Sequence, residues 1–208
     1  MDRKTKLSDH FTVGEFVKTS QDTVKNPNPK YPNYRYTNAQ FIDMNIKYVE
    51  KNKEKMEILC QKILEPIRTH MIKHYGFKSL GINSGIRCLE LNAVIGGSVT
   101  SQHTQCEAAD LNIGGTAKIT KAVFLDIMNG KVEGLDLNLI GQCILERKVY
   151  PKYKTYWIHI SYKSPRWIDY KKSKGVSKVV AEFMVTLTGK PKSYYPATNQ
   201  EQLRLYEE

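Results

Sequence analysis

The 208-residue sequence has few of the features that mark several protein classes. Its four cysteines, Cys60, Cys88, Cys106 and Cys143, are scattered, with no CxxC pair, which argues against a disulfide framework and favours reduced thiols. The helical pattern around Cys60 and the strand pattern around Cys143 suit small buried side chains. No apolar run approaches the length of a membrane-spanning helix, and no internal repeat or low-complexity segment is present. The length and the ordinary hydrophobic content predict one globular domain with a true core, to which an appendage could be attached.

The charge balance favours polyanionic partners. The formal net charge is +11, which suits nucleic acid, anionic membranes or a bacterial wall that carries carboxylates and phosphates. Part of the excess is local, in Lys171, Lys172, Lys174, Lys178, Lys190 and Lys192. No aromatic and basic motif of a nucleic-acid module is present, so we do not expect specific nucleic-acid binding. Were charge alone to drive it, affinity for DNA would fall steeply with salt.

Two histidines and one aspartate form a candidate metal site. His103 and Asp110 lie in the segment SQHTQCEAAD, and His159 ends a later Trp-Ile-His. The seven-residue separation is too long for a helical i, i+4 pair, which predicts a loop for His103. The apolar residues around Asp110, and the β-branched and aromatic residues around His159, predict strands. Two imidazoles and a carboxylate are a common ligand set for a catalytic zinc with an open fourth position.

The context of this site resembles a known family. The pattern Ser-x-His-x-x-x-x-Ala-x-Asp, followed by Trp-Ile-His, resembles the zinc D-alanyl-D-alanine metallopeptidases, which share a superfamily with lysostaphin-type enzymes and the Hedgehog signalling domain. Further similar segments are FTVGEF at 11–16, ILEPIR at 63–68 and INSGIR at 82–87. The resemblance spans roughly residues 7–163 and points to the phage and bacterial cell-wall branch. It implies zinc bound by His103, Asp110 and His159, in an α+β domain whose small antiparallel sheet carries the zinc and has helices packed on its other side.

Glu146 is the predicted catalytic base. Many relatives place an acid three residues before the last histidine, where this chain has Tyr156; in the phage-like branch an acid ends the preceding strand, as Glu146 does here. Strand alternation puts Gln142, Ile144 and Glu146 on one face of the first predicted strand. It likewise puts Trp157, His159 and Ser161 on one face of the next strand. If these faces pair, Glu146 reaches the water activated by zinc. The alternative is an exposed acid balanced by Arg147 or Lys148.

Arg87 and Ser101 are predicted to contact substrate. A tight turn at Ser84-Gly85 would project the Arg87 guanidinium, which can grip a carboxylate through two parallel hydrogen bonds. The resemblance implies that Arg87 recognises a carboxylate of the wall peptide during catalysis; a surface arginine is the alternative. Ser101 is expected to orient the metal loop or touch substrate, and otherwise to be a loop serine that caps a turn.

Cys106 departs from the family pattern. Relatives usually have glycine at this position, three residues after the first histidine, and glycine often marks a positive φ or a close backbone approach. A cysteine could therefore change the shape of the loop. It is also a soft metal ligand, so a His-Cys-His site remains open beside the set that includes Asp110.

Local patterns predict the main helices and strands. Thr12 to Glu15 has the capping-box pattern of a helix start, and residues 38–75 have helical periodicity that Pro66 should kink or divide. His70 and His74, in its last turn, are predicted as surface groups that compensate the helix dipole, with a metal pair as the alternative. Strands are expected near residues 80–83, 139–147 and 155–162, and helices near 89–95 and 118–129.

The resemblance ends near Pro165. We therefore predict a zinc peptidase domain at residues 1–165 and a basic C-terminal extension at 166–208, in which residues 178–188 form either a strand or a helix. The amino terminus has charges but no apolar stretch behind it, which predicts synthesis in the cytoplasm without a signal peptide. Something else would then deliver the protein to the wall.

The predicted function is zinc-dependent hydrolysis of peptide bonds in peptidoglycan stem peptides, by a D,D-carboxypeptidase or an endopeptidase. A phage endolysin or virion-associated lysin would account for the missing signal. The expected cofactor is Zn²⁺ and the expected partner is peptidoglycan, with other virion proteins added if the origin is a phage; no membrane partner is expected. The alternative is a non-catalytic phage structural or wall-binding protein that keeps the fold.

Overall fold

The computed structural model describes residues 1–114, 116–187 and 193–206. The α-helices are α1 (Val13–Val17), α2 (Asn38–Lys51), α3 (Lys53–Ile58), α4 (Glu65–Tyr75), α5 (Leu89–Val94), α6 (Ala117–Met128), α7 (Pro165–Ser173) and α8 (Gln200–Leu205). The strands are β1 (Gly81–Ser84), β2 (Ala108–Asn112), β3 (Ile140–Val149), β4 (Lys154–Tyr162), β5 (Glu182–Leu187) and β6 (Ser193–Pro196). Short 3₁₀ turns cover Gln102–Gln105 and Leu137–Leu139. None of the helices within these ranges has the length and apolarity needed to cross a membrane.

One sheet joins the six described strands, in the order β1-β2-β4-β3-β5-β6. Neighbouring strands are antiparallel except β3 and β5, which run parallel. The α+β prediction is confirmed. The sheet is larger than the small antiparallel one expected, because two strands beyond residue 165 extend it and one of them pairs in parallel.

The hairpin of β3 and β4 separates the core from the functional face. Alternation along each strand sends neighbouring side chains to opposite faces. One face contributes these residues to the main hydrophobic core: Cys143, Leu145, Ile158 and Ile160. In the register, Ile144 lies opposite His159 and Glu146 lies opposite Trp157, so these four share the other face. The predicted pairing of faces is therefore present.

The helical region predicted over residues 38–75 is interrupted at Asn52, between α2 and α3, and then stays helical as far as Tyr75, with a change of helix geometry just before Pro66. Between α3 and α4 the chain forms one wider π-helical segment, Leu59–Leu64. Pro66 then occupies the first turn of α4, where its missing N–H has no intrahelical acceptor to serve. Ile63 and Leu64, in the π-helical segment, and Ile67, in α4, are all buried in the core.

The segment after residue 165 packs against the rest of the fold. Tyr206 is fully buried, and its hydroxyl donates to the backbone oxygen of Glu146 at 3.0 Å. Residues 178–188 were predicted as either a strand or a helix, and the structure has a strand there, β5. Thr188, Lys190 and Lys192 lie outside the described residues. The division into domains at residue 165 stays a prediction, although strands from both sides of it share the sheet.

Candidate metal centre

Three elements bring the predicted metal ligands together. Ser101 precedes the 3₁₀ turn that carries His103, Asp110 lies in the middle of β2, and His159 lies on β4 directly opposite Asp110. The loop and strand assignments predicted for these residues are correct. Adjacent antiparallel strands place opposite side chains on one face, so Asp110 and His159 meet.

The ligand atoms of His103, Asp110 and His159 all lie within 4.8 Å of one another. Asp110 Oδ1 is 3.3 Å from His103 Nε2 and 2.9 Å from His159 Nδ1. Both imidazoles are buried, with 4% and 9% of their surfaces exposed. Burial alone would raise the pKa of Asp110, but the adjacent His103 and His159 outweigh it and hold that pKa well below its usual range.

His103 is oriented by a backbone group on its far side. Its Nδ1 lies 2.7 Å from the carbonyl oxygen of Gly85 and donates to it, which leaves Nε2 facing Asp110. Gly85 itself is pressed against Phe16, where an added Cβ would lie 2.4 Å from the backbone oxygen. Only glycine fits this position, because any side chain would push the Gly85 carbonyl away from the imidazole.

Arg87 lies beside Asp110 rather than on the open surface. Its side chain is 15% exposed; Nη2 donates to Asp110 Oδ2 at 3.4 Å, and Nε and Nη2 donate to Ser84 Oγ at 3.2 and 3.0 Å. Burial lowers the pKa of Arg87, and the carboxylates of Asp110 and Glu146 oppose that shift. The alternative of a plain surface arginine therefore does not describe this residue.

Glu146 is buried and faces the same side of the sheet as His159. It is 6% exposed and borders a cleft that also contains the three predicted ligands. It is thus not the exposed acid of the alternative interpretation, and Arg147 instead donates to the backbone oxygens of Leu205 and Tyr206. Tyr156 lies on the opposite face, against the core and the ring of Tyr206, away from the cleft.

The cleft has a volume of about 540 Å³ and two walls. Ser101 lines one wall together with its neighbours at positions 96–98, 100 and 102. The Ser101 side chain makes no capping hydrogen bond to the turn that follows, so it is not the turn-capping serine of the alternative. The other wall comes from the C-terminal segment: Trp167, Tyr170, Lys171, Met184 and Tyr194.

Cys106 keeps the backbone conformation expected of glycine. Its φ is 56° and its ψ is 38°, in the left-handed region, and it is the one non-glycine residue with positive φ among the described residues. The loop shape is thus retained although a cysteine occupies the position. Burial raises the pKa of its thiol to about 12, and Sγ donates to the Tyr48 carbonyl oxygen at 3.4 Å. The group of convergent ligands contains Asp110 and not Cys106.

The sequence interpretation missed Glu107, which anchors the metal loop. Glu107 is fully buried and accepts hydrogen bonds from Arg166 at 2.5 to 3.2 Å, from Ser164 at 2.6 Å and from Lys55 at 3.3 Å. A carboxylate at the start of an apolar strand was the signal for such a network, since buried acids need partners. Its partners lie more than fifty residues away in sequence, where no local pattern indicates them.

Also missed was the second wall of the cleft. Lys171 forms an ion pair with Glu182, and Gln142 donates to the other oxygen of Glu182 at 2.9 Å. This contact joins α7, β5 and β3 along the border of the cleft. The basic run around Lys171 had been interpreted only as a source of charge.

Comparison with known proteins gives a family match over part of the chain. The family model described as Peptidase M15 matches residues 37–134, which include Arg87, His103 and Asp110. His159 and Glu146 lie outside the matched range, and their proximity to these residues comes from the structure. None of the curated proteins compared with the chain matches it. This match supports the assignment of residues 37–134 to the M15 metallopeptidases, the family of the zinc D-alanyl-D-alanine peptidases.

Proposed function

We propose that the protein hydrolyses peptide bonds in the stem peptides of bacterial peptidoglycan, as a D,D-carboxypeptidase or an endopeptidase. The observation that carries this proposal is the convergence of His103, Asp110 and His159 at a cleft that Glu146 and Arg87 also border. The match of residues 37–134 to a metallopeptidase family supports the reaction type. A phage lysin and a bacterial wall enzyme both fit this activity.

The donor set suits zinc. Bonds of about 2.0 to 2.1 Å in tetrahedral geometry place two ligand atoms roughly 3.4 Å apart. The separations of 3.3 and 2.9 Å between Asp110 Oδ1 and the two imidazole nitrogens are close to that value. Two buried imidazoles also point at one carboxylate oxygen. A cation bound between these three groups would satisfy all of them at once. When bound, the zinc ion acts as a Lewis acid that activates water and polarises the scissile carbonyl.

Glu146 is the proposed general base. It lies two residue pairs along the hairpin from His159, on the same face, where its carboxylate can take the proton of the attacking water and return it to the leaving amine. Tyr156 is a poor substitute, because it faces the core. The proposed role needs no acid at the position that many relatives use.

Arg87 is the proposed carboxylate receptor. Its Nε and Nη2 groups are held by Ser84 and Asp110, whereas Nη1 has no hydrogen-bond partner within the described part of the chain. A fixed guanidinium in the cleft can therefore turn this remaining edge toward a substrate carboxylate. Ser101, on the facing wall, is the second proposed contact for substrate.

The test is mass spectrometry of purified peptidoglycan digested with the zinc-loaded protein. Release of a terminal residue would indicate a carboxypeptidase, and new amino termini within the stem or cross-link would indicate an endopeptidase. We expect Glu146→Gln to keep zinc and fold while it loses about 10²-fold or more in rate, the usual scale for a general base. Glu133→Gln is the matched control, because the Glu133 side chain is 91% exposed and lies outside the cleft.

Two results would contradict the proposal. Zinc-loaded, folded protein that releases no fragment from walls of several compositions would favour the alternative of a non-catalytic wall-binding protein. Near-normal activity of Glu146→Gln would leave the peptidase in place but move the base elsewhere.

A further inference from the structure

Gln102 has a buried side-chain amide in the cleft and takes no part in the reaction proposed above. It precedes His103 in the 3₁₀ turn, is 4% exposed and borders the cleft. A buried amide needs partners at both its oxygen and its nitrogen, because an unpaired polar group removed from water is costly. The amide oxygen therefore needs a donor, and the amide nitrogen needs an acceptor.

The oxygen end faces His159. The Nδ1 atom of this imidazole points at Asp110, 2.9 Å away, and the opposite ring atom, Nε2, lies 3.5 Å from Gln102 Oε1. A neutral imidazole that offers Nδ1 to a cation carries its proton on Nε2 and needs an acceptor there. Gln102 Oε1 is that acceptor, and this contact fixes which end of the amide is which.

The nitrogen end is then left over. Gln102 Nε2 is closed to solvent and has no hydrogen-bond partner within the described residues. Because Oε1 is committed to His159, rotation of the amide cannot exchange the two ends without placing two donors against each other. The side chain thus holds an unpaired amide NH2 group beside the proposed metal ligands, in the cleft that a substrate would enter on the proposed function.

We propose that Gln102 works at both ends. Its Oε1 orients His159, and its Nε2 donates a hydrogen bond to the scissile carbonyl oxygen, which becomes an oxyanion when water attacks. This assignment rests on the proposed peptidase function. A fixed donor aimed at developing charge stabilises the transition state more than the bound peptide.

Two substitutions separate the two ends. Gln102→Met removes both the acceptor and the donor at similar size, whereas Gln102→Glu keeps an acceptor for His159 and removes the donor. Gln105→Met is the matched control, because Gln105 lies in the same turn, outside the cleft, and its Nε2 donates only to Thr104. Thermal unfolding checks that each variant folds.

Three measurements give the readout: the zinc dissociation constant by competition with a chelator, the calorimetric affinity of the zinc-loaded protein for a phosphinic dipeptide, and kcat/KM on wall peptides. We expect Gln102→Met to weaken zinc binding about 10-fold, the lower end for loss of a group that orients a ligand. Gln102→Glu should bind zinc at least as tightly as the parent. Both should lose about 10²-fold in phosphinate affinity and in kcat/KM, the scale of one oxyanion donor.

Each half of the proposal can fail by itself. Parental zinc affinity in Gln102→Met would overturn the acceptor role, and parental phosphinate affinity in Gln102→Glu would overturn the donor role. If the parent cleaves no wall peptide, the proposed function fails. The zinc and phosphinate affinities would still decide the role of Gln102, since neither depends on turnover.

Discussion

At the scale of single residues, Asp110 holds the centre together. One of its oxygens faces both imidazoles and the other faces Arg87, so the carboxylate balances up to three cationic or metal-binding groups. Without a counter-charge, a buried carboxylate of this kind would be costly. The arrangement of these side chains therefore depends on the positive charge or cation that His103 and His159 hold next to Asp110.

The first prediction concerns the metal. His103→Ala and His159→Ala should each abolish stoichiometric zinc binding, because two protein ligands hold zinc far more weakly than three. The measurement is elemental analysis after dialysis. His74→Ala is the control, since that imidazole is exposed on α4 and should leave the zinc content unchanged. Full zinc content in both variants would contradict the proposal that His103 and His159 bind the metal.

The second prediction concerns Arg87. Arg87→Lys should lower kcat/KM for stem peptides with a free carboxylate, because one ammonium group cannot both replace the hydrogen bonds that hold the guanidinium at Ser84 and Asp110 and reach the substrate carboxylate. Zinc content and melting temperature should change little. The comparison uses matched substrates with free and amidated carboxylates. The amidated peptide should already be poor for the parent and lose little more; equal losses on both would make Arg87 a structural residue.

Single residues of the candidate site could be predicted from the sequence where the chemistry allows only a few residue types. His103, Asp110 and His159 could be singled out because the local motif around each is specific and the ligand chemistry is restrictive. The left-handed backbone at Cys106 could also be foreseen, from the glycine usual there. The partners of Glu107 could not, because Arg166 and Ser164 reach it only through tertiary packing.

At the scale of elements, a polar cluster joins α4 to α6. His70 Nε2 lies 3.0 Å from Asp126 Oδ2, the Tyr75 hydroxyl donates to the same oxygen at 2.7 Å, and Lys131 lies 3.4 Å from Oδ1. His70 is 7% exposed, so the prediction of a surface group was wrong for it. Helical periodicity shows which residues share a face but not which neighbouring helix will cover them.

The third prediction gives this cluster a pH dependence. Partial burial would raise the pKa of Asp126, but Tyr75, His70 and Lys131 together lower it below the ordinary value of 3.8. Its contribution to stability is therefore present above that ordinary value and is lost as the pH falls through the lower folded-state pKa. Asp126→Asn should cost about 1 to 3 kcal/mol of unfolding free energy at neutral pH, the scale of hydrogen bonds to a charged group.

Urea unfolding of parent and Asp126→Asn from neutral to strongly acid pH measures this effect. The difference between the two proteins should be largest at neutral pH and shrink in acid. Asp43→Asn, an exposed change on α2, should give no such pattern. A constant difference at every pH would mean that the Asp126 charge is not what stabilises the cluster.

At the scale of the whole molecule, the C-terminal segment contributes to both the sheet and the cleft. Strand β5 pairs in parallel with β3 from Gln142 to Glu146, and Tyr206 is buried against the same strand. No sequence pattern indicated this pairing, because parallel partners are set by long-range packing and not by local periodicity. The resemblance to the family also ended before this segment began.

The fourth prediction tests the division at residue 165. A chain of residues 1–165 should lose cooperative unfolding or aggregate, because it exposes the β3 edge that β5 covers. Calorimetry and gel filtration, with the full chain as the control, give the measurement. A truncated chain that unfolds cooperatively and binds zinc would instead establish residues 1–165 as an independent domain.

The anchoring of Glu107 by Arg166 also has a consequence for biosynthesis. The metal loop is made well before Arg166 leaves the ribosome, and the second wall of the cleft requires residues as far as Tyr194. A nascent chain that already carries His103, Asp110 and His159, the three proposed metal ligands, therefore still lacks Arg166 as a counter-charge for Glu107 and has a cleft with one side open. The order of synthesis thus delays completion of the candidate metal centre until the supporting segment has folded onto it.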